Sequence, residues 1–93
     1  MGTKTHELKT WPDFFEAILD GQKNFEVRYD DRGFQTGDHV YLREYDPSNG
    51  GRYTGRWITA RIGYVLHQPP GRRGDTLNGY AVFSLLNVAD GEA

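Results

Sequence analysis

The sequence predicts an α+β domain in which a helix follows the first of about five strands and the strands form a small, partly open β-barrel. Three observations lead to this fold class. Residues of alternating character recur in five segments, a helical pattern follows the first of them directly, and no internal repeat is present. With 93 residues, the chain has room for a single domain, 1–93, around one modest core.

The first strand and the helix are predicted from adjacent patterns. Residues 5–10 alternate in character, which indicates a strand with Leu8 pointing inward. A helix is then predicted over 11–21, because Pro stands at an early helical position, acids occupy the first turns and Gly marks the end. We expect its apolar stripe to cap one end of the sheet, and the stripe consists of Phe14, Phe15, Ile18 and Leu19.

The second strand is predicted over 24–29, where the pattern changes to a period of two. One face, which we expect to be buried, contains Phe25, Val27 and Tyr29. The opposite face is polar and contains Glu26 and Arg28. Burial of the apolar face would keep both charged side chains on the accessible side of the strand.

The third and fourth strands are predicted to form a hairpin. Strand three covers 39–45, and the turn at 46–51 contains the Asn and Gly residues that supply positive φ angles. Strand four covers 57–67 and should return antiparallel to strand three. Within it, Gly63 is expected to mark a bulge or a barrel corner, and Tyr64 is expected in the core.

The fifth strand is predicted over 79–88, after a connection at 68–75 that is rich in Pro and Gly. Its apolar residues occupy both faces, which favours a central position in the sheet. We expect residues 5–88 to be ordered. The tail at 89–93 has nothing to bury and is expected to be frayed.

Composition restricts the classes of function. Cysteine is absent, which excludes disulfides and thiolate metal sites and favours a cytoplasmic location. The three histidines lack ligand-like spacing, and no apolar run approaches a membrane span, so we expect neither a metal or other cofactor nor a membrane partner. The formal charge of −2 argues against a broad basic face for duplexes. We expect a monomer that would bind nucleic acid through a local pocket.

The densest polar cluster lies where the helix stops and the second strand begins. Lys23, Glu26 and Arg28 fall there within six positions. A carboxylate beside two cations suits the edge of a nucleobase and a phosphate, because the acid accepts from amino groups and the cations bind oxygens. The sequence therefore indicates a polar ligand cleft at this place.

The spacing G-x-K-x-x-E-x-R, formed by Gly21, Lys23, Glu26 and Arg28, resembles the signature of ASCH domains in the PUA-like superfamily. Further stretches resemble an uncharacterised ASCH-like family of bacteria and phages, namely HELKTWP (6–12), DR-x-F (31–34), GD (37–38) and LREYD (42–46). The similarity runs from about His6 to Val88. It implies a PUA-like barrel with a helix over one end, a cleft lined by the signature Lys, Glu and Arg and, by inference within the superfamily, RNA binding.

The first functional hypothesis is therefore an RNA-binding or nucleotide-binding domain. Lys23 and Arg28 would contact phosphate or base acceptors, and Glu26 would accept from a base amino group or a ribose hydroxyl. Further ligand contacts are expected from residues near the same strand end and from one ring that could stack on a base, namely Lys9, His6, Asp31, Arg32 and Tyr45.

Two other functions stay open. Some ASCH proteins are amidohydrolases of a modified cytidine that use a Thr three residues after the signature Lys, a position occupied here by Glu26. A different hydrolysis would use Glu26 as general base and Lys23 to stabilise an oxyanion, although we expect binding rather than catalysis. The third hypothesis is a bacterial or phage protein-interaction module, which an exposed apolar patch would favour.

Overall fold

A computed structural model of the protein describes residues 2–67 and 79–93. In this part of the chain, one helix follows the first of five strands, in the order β1 (Thr5–Thr10), α1 (Pro12–Leu19), β2 (Phe25–Tyr29), β3 (His39–Asp46), β4 (Arg52–His67) and β5 (Tyr80–Glu92). The strands form one curled sheet that resembles half a barrel. The connection predicted at 68–75 lies outside the described residues, among which no helix is long and apolar enough to cross a bilayer.

The strand order in the sheet is β1-β3-β4-β5-β2. β1 pairs with β3 in parallel, whereas the other three pairings are antiparallel. The first two strands of the chain therefore form opposite edges of the sheet, with α1 as their connection. β5 lies between β4 and β2, as its apolar character on both faces predicts.

The core contains one face of the sheet and one side of α1. Leu8 is buried as predicted, and α1 contributes Phe15 and Ile18. Phe14, which the sequence analysis assigned to the same stripe, is 53% exposed because a short helix buries only a narrow side. The full core consists of Leu8, Phe15, Ile18, Phe34, Val40, Leu42, Ile58, Ala60, Ile62, Ala81, Phe83 and Leu85.

β2 is buried on the face opposite to the predicted one. Glu26 is 3% exposed, whereas its neighbours Phe25 and Val27 are 41% and 49% exposed. Glu26 pairs with Phe83 of β5, and because directly paired residues share a face of the sheet, both point toward the interior. A period of two predicts which residues share a face, but it does not predict which face turns inward.

β4 changes its inward face at Gly63. Its pairing with β5 shifts between Ile62 and Val65, so Val65 packs against the core while Tyr64 is 73% exposed. The irregularity predicted at Gly63 is confirmed. The prediction that Tyr64 lies in the core is wrong, because the extra residue of a bulge reverses the alternation beyond it.

The C-terminal tail belongs to the sheet, which corrects the prediction of a frayed end. β5 continues to Glu92, where the tail pairs with the first half of β4, and Trp57 lies opposite Gly91. The amide of Ala93 donates to the backbone oxygen of Gly55 at 2.7 Å. The tail is held because β4 begins at Arg52, earlier than predicted, and supplies backbone partners for it.

Candidate functional site

A groove of about 740 Å³ lies between α1, β2 and the end of β1. This volume is within the ~300–1,000 Å³ typical of small-molecule sites. The lining combines apolar and aromatic side chains with a polar cluster, and it consists of Lys9, Thr10, Trp11, Phe14, Ala17, Gln22, Lys23, Phe25, Glu26, Val27 and Arg28. The predicted residues Lys9, Lys23, Glu26 and Arg28 are thus brought together in one groove.

Glu26 is the centre of the polar cluster. The Oε1 atom accepts a hydrogen bond from Arg28 Nε at 2.9 Å, and Oε2 accepts one from Lys23 Nζ. Lys23 Nζ also donates to the backbone oxygen of Phe25 at 2.8 Å. The buried carboxylate therefore fixes the positions of two cations. We call Lys23, Glu26 and Arg28 the Glu26 triad.

Arg28 also connects β2 to β1 across the gap between the two edge strands. Its Nη2 atom donates to the backbone oxygen of Lys9 at 2.7 Å and to Thr10 Oγ1 at 3.4 Å. Among the described residues, its Nη1 atom has no protein partner. The guanidinium therefore combines a structural bond across the gap with hydrogen-bonding capacity that a ligand can use.

Aromatic side chains stand beside the triad. Trp11 and Phe14 are 55% and 53% exposed, although both are large apolar residues. The Lys23 ammonium lies 5.7 Å from the ring centroid of Phe14 and 5.3 Å from that of Phe25. The groove thus offers exposed rings next to a cation, a combination suited to a flat ligand that carries polar groups.

Lys9 lines the groove, whereas Tyr45 supports it from outside the lining. Lys9 Nζ lies 4.4 Å from the ring centroid of Tyr45. The Tyr45 ring packs edge-to-face on Tyr53 with centroids 5.1 Å apart. Tyr45 therefore positions the Lys9 ammonium rather than lining the groove as the stacking ring that the sequence analysis expected.

His6 lies in the interior instead of the predicted cleft. It is 5% exposed, its Nε2 atom is 2.9 Å from Asp38 Oδ2, and its ring packs on Phe34. Burial acts to raise the pKa of Asp38, but the hydrogen bonds from His6 and from backbone amides outweigh burial and hold this pKa below its usual range. His6 shares the inward face of β1 with Leu8, which explains its position.

Asp31 and Arg32 lie beside the gap between β1 and β2 but outside the groove lining. They form an exposed ion pair at 3.4 Å, and Arg32 Nη1 donates to the backbone oxygen of Glu7 at 2.8 Å. Arg32 therefore binds the main chain of β1, the edge strand that Arg28 also contacts, and Asp31 pairs with Arg32.

Another buried carboxylate, Glu44, fixes the helix that forms one side of the groove. Glu44 accepts from Arg56 Nε and Nη2 at 2.8 and 2.9 Å and from the Thr54 hydroxyl at 2.6 Å. Arg56 also contacts Glu16 of α1, which ties the helix to β3 and β4. The Arg56 guanidinium holds the pKa of Glu44 below its usual range despite burial.

Seven lining residues were not predicted from the sequence, namely Thr10, Trp11, Phe14, Ala17, Gln22, Phe25 and Val27. Phe14 was assigned to the core because an apolar residue in an amphipathic helix is most often buried. Phe25 and Val27 were assigned to the buried face of β2, and the remaining four residues carried no local signal of a groove. Their proximity to the triad follows from how α1 returns the chain to the sheet.

Comparisons with known proteins find a matching family model and a phage relative. A family model described as "Domain of unknown function (DUF3850)" matches residues 5–85. A protein of Escherichia phage P2, described as "Uncharacterized 12.9 kDa protein in GpA 3'region", is 39% identical over 62 residues, or 67% of this chain and 54% of the relative. The chain thus spans about half the length of that relative.

Proposed function

The chain belongs to the DUF3850 family, and we propose that its groove binds RNA or a nucleotide. A base would lie against the exposed rings, and its acceptor atoms or a phosphate would bind the ammonium of Lys23 and the guanidinium of Arg28. The supporting observation is that one groove combines the charge-paired Glu26 triad, whose carboxylate is buried, with the exposed rings of Trp11 and Phe14. The resemblance to ASCH domains of the PUA-like superfamily supports the same proposal, as a finer interpretation of this half-barrel.

The charge of the groove is consistent with an anionic ligand. Its charged lining contains three cations, Lys9, Lys23 and Arg28, against the single carboxylate of Glu26. The whole chain carries a formal charge of −2, so this groove is locally positive on an acidic protein. A cleft lined by one sign of charge attracts ligands of the opposite sign.

The exposed rings supply the second part of the interaction. Stacking of a base on an aromatic side chain contributes about 1–3 kcal/mol per base and tolerates any base. The side chains of Trp11 and Phe14 are about half exposed. Covering them with a base would bury apolar surface that the fold itself leaves in contact with solvent.

The contacts of Glu26 favour binding over hydrolysis. A general base needs a carboxylate oxygen within hydrogen-bonding distance of the proton it removes. Both oxygens of Glu26 already accept from cations, and its side chain is 4% exposed. The carboxylate is thus arranged to hold Lys23 and Arg28 in position.

The test is an NMR titration of labelled protein with mononucleotides and short single-stranded RNAs. Shift changes are expected at the groove and not at Tyr64, which is 73% exposed on a different part of the sheet. Trp11→Ala and Phe14→Ala should each weaken binding about tenfold or more, whereas the control Tyr64→Ala should not. No shifts at millimolar ligand would overturn the proposal and favour an interaction module, with Val27 and Tyr29 as exposed apolar residues.

A further inference from the structure

We propose that the outer face of the sheet beside the groove binds a further part of the same RNA, so that the ligand is a single strand of several nucleotides. This face combines two cations with two aromatic rings, and it consists of Lys9, Arg43, Tyr45 and Tyr53. We call these residues the outer strip. The inference rests on the proposed function and extends the ligand from one nucleotide to a continuous chain.

The outer strip begins where the groove ends. Lys9 lines the groove, and in the parallel pairing of β1 with β3 it lies directly opposite Arg43. Directly paired residues share a face of the sheet, and Lys9 alternates with the buried Leu8 and Thr10, so both cations are on the outer face. Because β1 is an edge strand, a chain that leaves the groove over Lys9 reaches Arg43 on the next strand.

The two cations of the outer strip are placed in a way that favours an anion. Like charges directly opposite each other on neighbouring strands destabilise a sheet. Among the described residues, Arg43 pairs with the exposed Glu7 at 3.0 Å, whereas Lys9 forms no ion pair. One carboxylate thus stands against two cations. A phosphate bound between the two side chains would offset their repulsion, and an RNA strand carries a phosphate at every link.

Aromatic rings position both cations and add a surface for a base. The Lys9 ammonium lies over the ring of Tyr45, and the Arg43 guanidinium carbon lies 3.8 Å from the ring centroid of Tyr53. The side chain of Arg43 is 37% exposed, and Tyr53 is 38% exposed. Guanidinium planes and aromatic rings are both surfaces on which unpaired bases stack. The outer strip therefore offers both interactions that a single strand uses, phosphate binding and stacking.

The experiment compares uridine 5′-monophosphate with the single-stranded hexanucleotide of uridylate in calorimetric titrations. Arg43→Gln should weaken binding of the hexanucleotide about tenfold and leave the monophosphate unaffected, because only the longer ligand reaches β3. Lys4→Gln removes a positive charge outside the groove and the outer strip, and both affinities should stay the same. Equal hexanucleotide affinities of the wild type and Arg43→Gln would overturn the inference and leave the proposed function standing. Absence of binding by both ligands would instead refute the proposed function.

The dependence of affinity on salt tests whether Arg43 binds a phosphate. Each phosphate contact of a single strand contributes about 0.7 to the slope of log affinity against log salt concentration. The slope for the hexanucleotide should therefore decrease by about 0.7 in Arg43→Gln, and an unchanged slope would contradict phosphate binding. Tyr53→Leu, which removes the ring beneath Arg43, should weaken the hexanucleotide but not the monophosphate.

A hexa-aspartate peptide tests the other class of occupant, an acidic segment of a protein. It offers negative charges to Lys9 and Arg43 but no bases to stack on the outer strip. We expect it to bind at least tenfold more weakly than the hexanucleotide, because stacking contributes about 1–3 kcal/mol per base. Equal affinities of the peptide and the hexanucleotide would show that the outer strip recognises charge alone and would overturn RNA as its ligand.

Discussion

The guanidinium of Arg28 donates to the backbone oxygen of Lys9 at 2.7 Å, so a side chain of one edge strand binds the main chain of the opposite edge. Arg32 makes an equivalent bond to the backbone oxygen of Glu7 at 2.8 Å. Glu7 and Lys9 are two residues apart in β1, so their oxygens point in the same direction. Two arginines therefore bridge the gap that a backbone ladder would fill in a closed barrel.

Loss of this bridge should destabilise the fold. Arg28→Ala removes a charged partner from the buried Glu26 and the bond to β1, and we expect it to lower the free energy of unfolding by about 2 kcal/mol. Urea denaturation measures this loss. Arg43→Ala is the matched control, because Arg43 pairs at 3.0 Å with the exposed Glu7 and should contribute less. Equal losses in the two variants would contradict a bridging role for Arg28.

The Glu44 and Arg56 pair predicts a specific dependence of stability on pH. Because Arg56 holds the pKa of Glu44 in the folded protein below its ordinary value of 4.5, the unfolded chain binds this proton first as the pH falls. The stabilisation is complete above pH 4.5 and is lost as the pH falls through the lower folded pKa.

The measurement compares unfolding of the wild type and Glu44→Gln in urea at a series of pH values. The difference in the free energy of unfolding should be constant near neutral pH and should shrink below pH 4.5. Glu7→Gln alters an exposed pair and serves as the control. A Glu44→Gln difference that stays constant into strong acid would show that the charge of Glu44 does not stabilise the fold.

A side chain at Gly91 should displace the tail of β5. Any Cβ at this position would overlap the ring of Trp57, so Gly91→Ala forces the ring or the strand to move. We expect a loss of about 1–3 kcal/mol in the free energy of unfolding. Gly2→Ala, where a Cβ meets no atom within 4 Å, is the control. Unchanged stability of Gly91→Ala would indicate that the tail contributes little to the fold.

Trp11 should report ligand binding through its fluorescence. It lines the groove and is 55% exposed, whereas Trp57 packs under the tail of β5. In a Trp57→Phe protein, adding uridine monophosphate should change the intensity or wavelength of emission, and the affinity read from this change should fall as salt is added. The Trp11→Phe protein is expected to show no such change. A signal that persists in Trp11→Phe would place the ligand elsewhere.

The order and type of the elements follow from local signals in the sequence. The positive φ angles of Asn49 and Gly50 produce the predicted hairpin, and Gly63 produces the predicted irregularity. The inward face of β2 could not be predicted in this way, because it depends on which residues of β5 lie opposite. The pairing of the tail likewise depends on the length of a distant strand.

The candidate site was predictable only where its residues lie close together in the sequence. Lys23, Glu26 and Arg28 come together because they are close in sequence across one helix end and one strand. The position of Trp11 depends on tertiary structure and gave no local signal. His6 is different, since its separation of two residues from Leu8 already indicated that both share the inward face of β1.

The strand order has a consequence for how the chain forms during synthesis. β1 pairs with β3, and β2 pairs with β5. Each of the first two strands therefore pairs with a segment that is synthesised after it. β2 can pair with β5 only after nearly all of the described chain has been synthesised. Because such distant pairings form late, the nascent N-terminal third carries unpaired strand edges that a chaperone could shield.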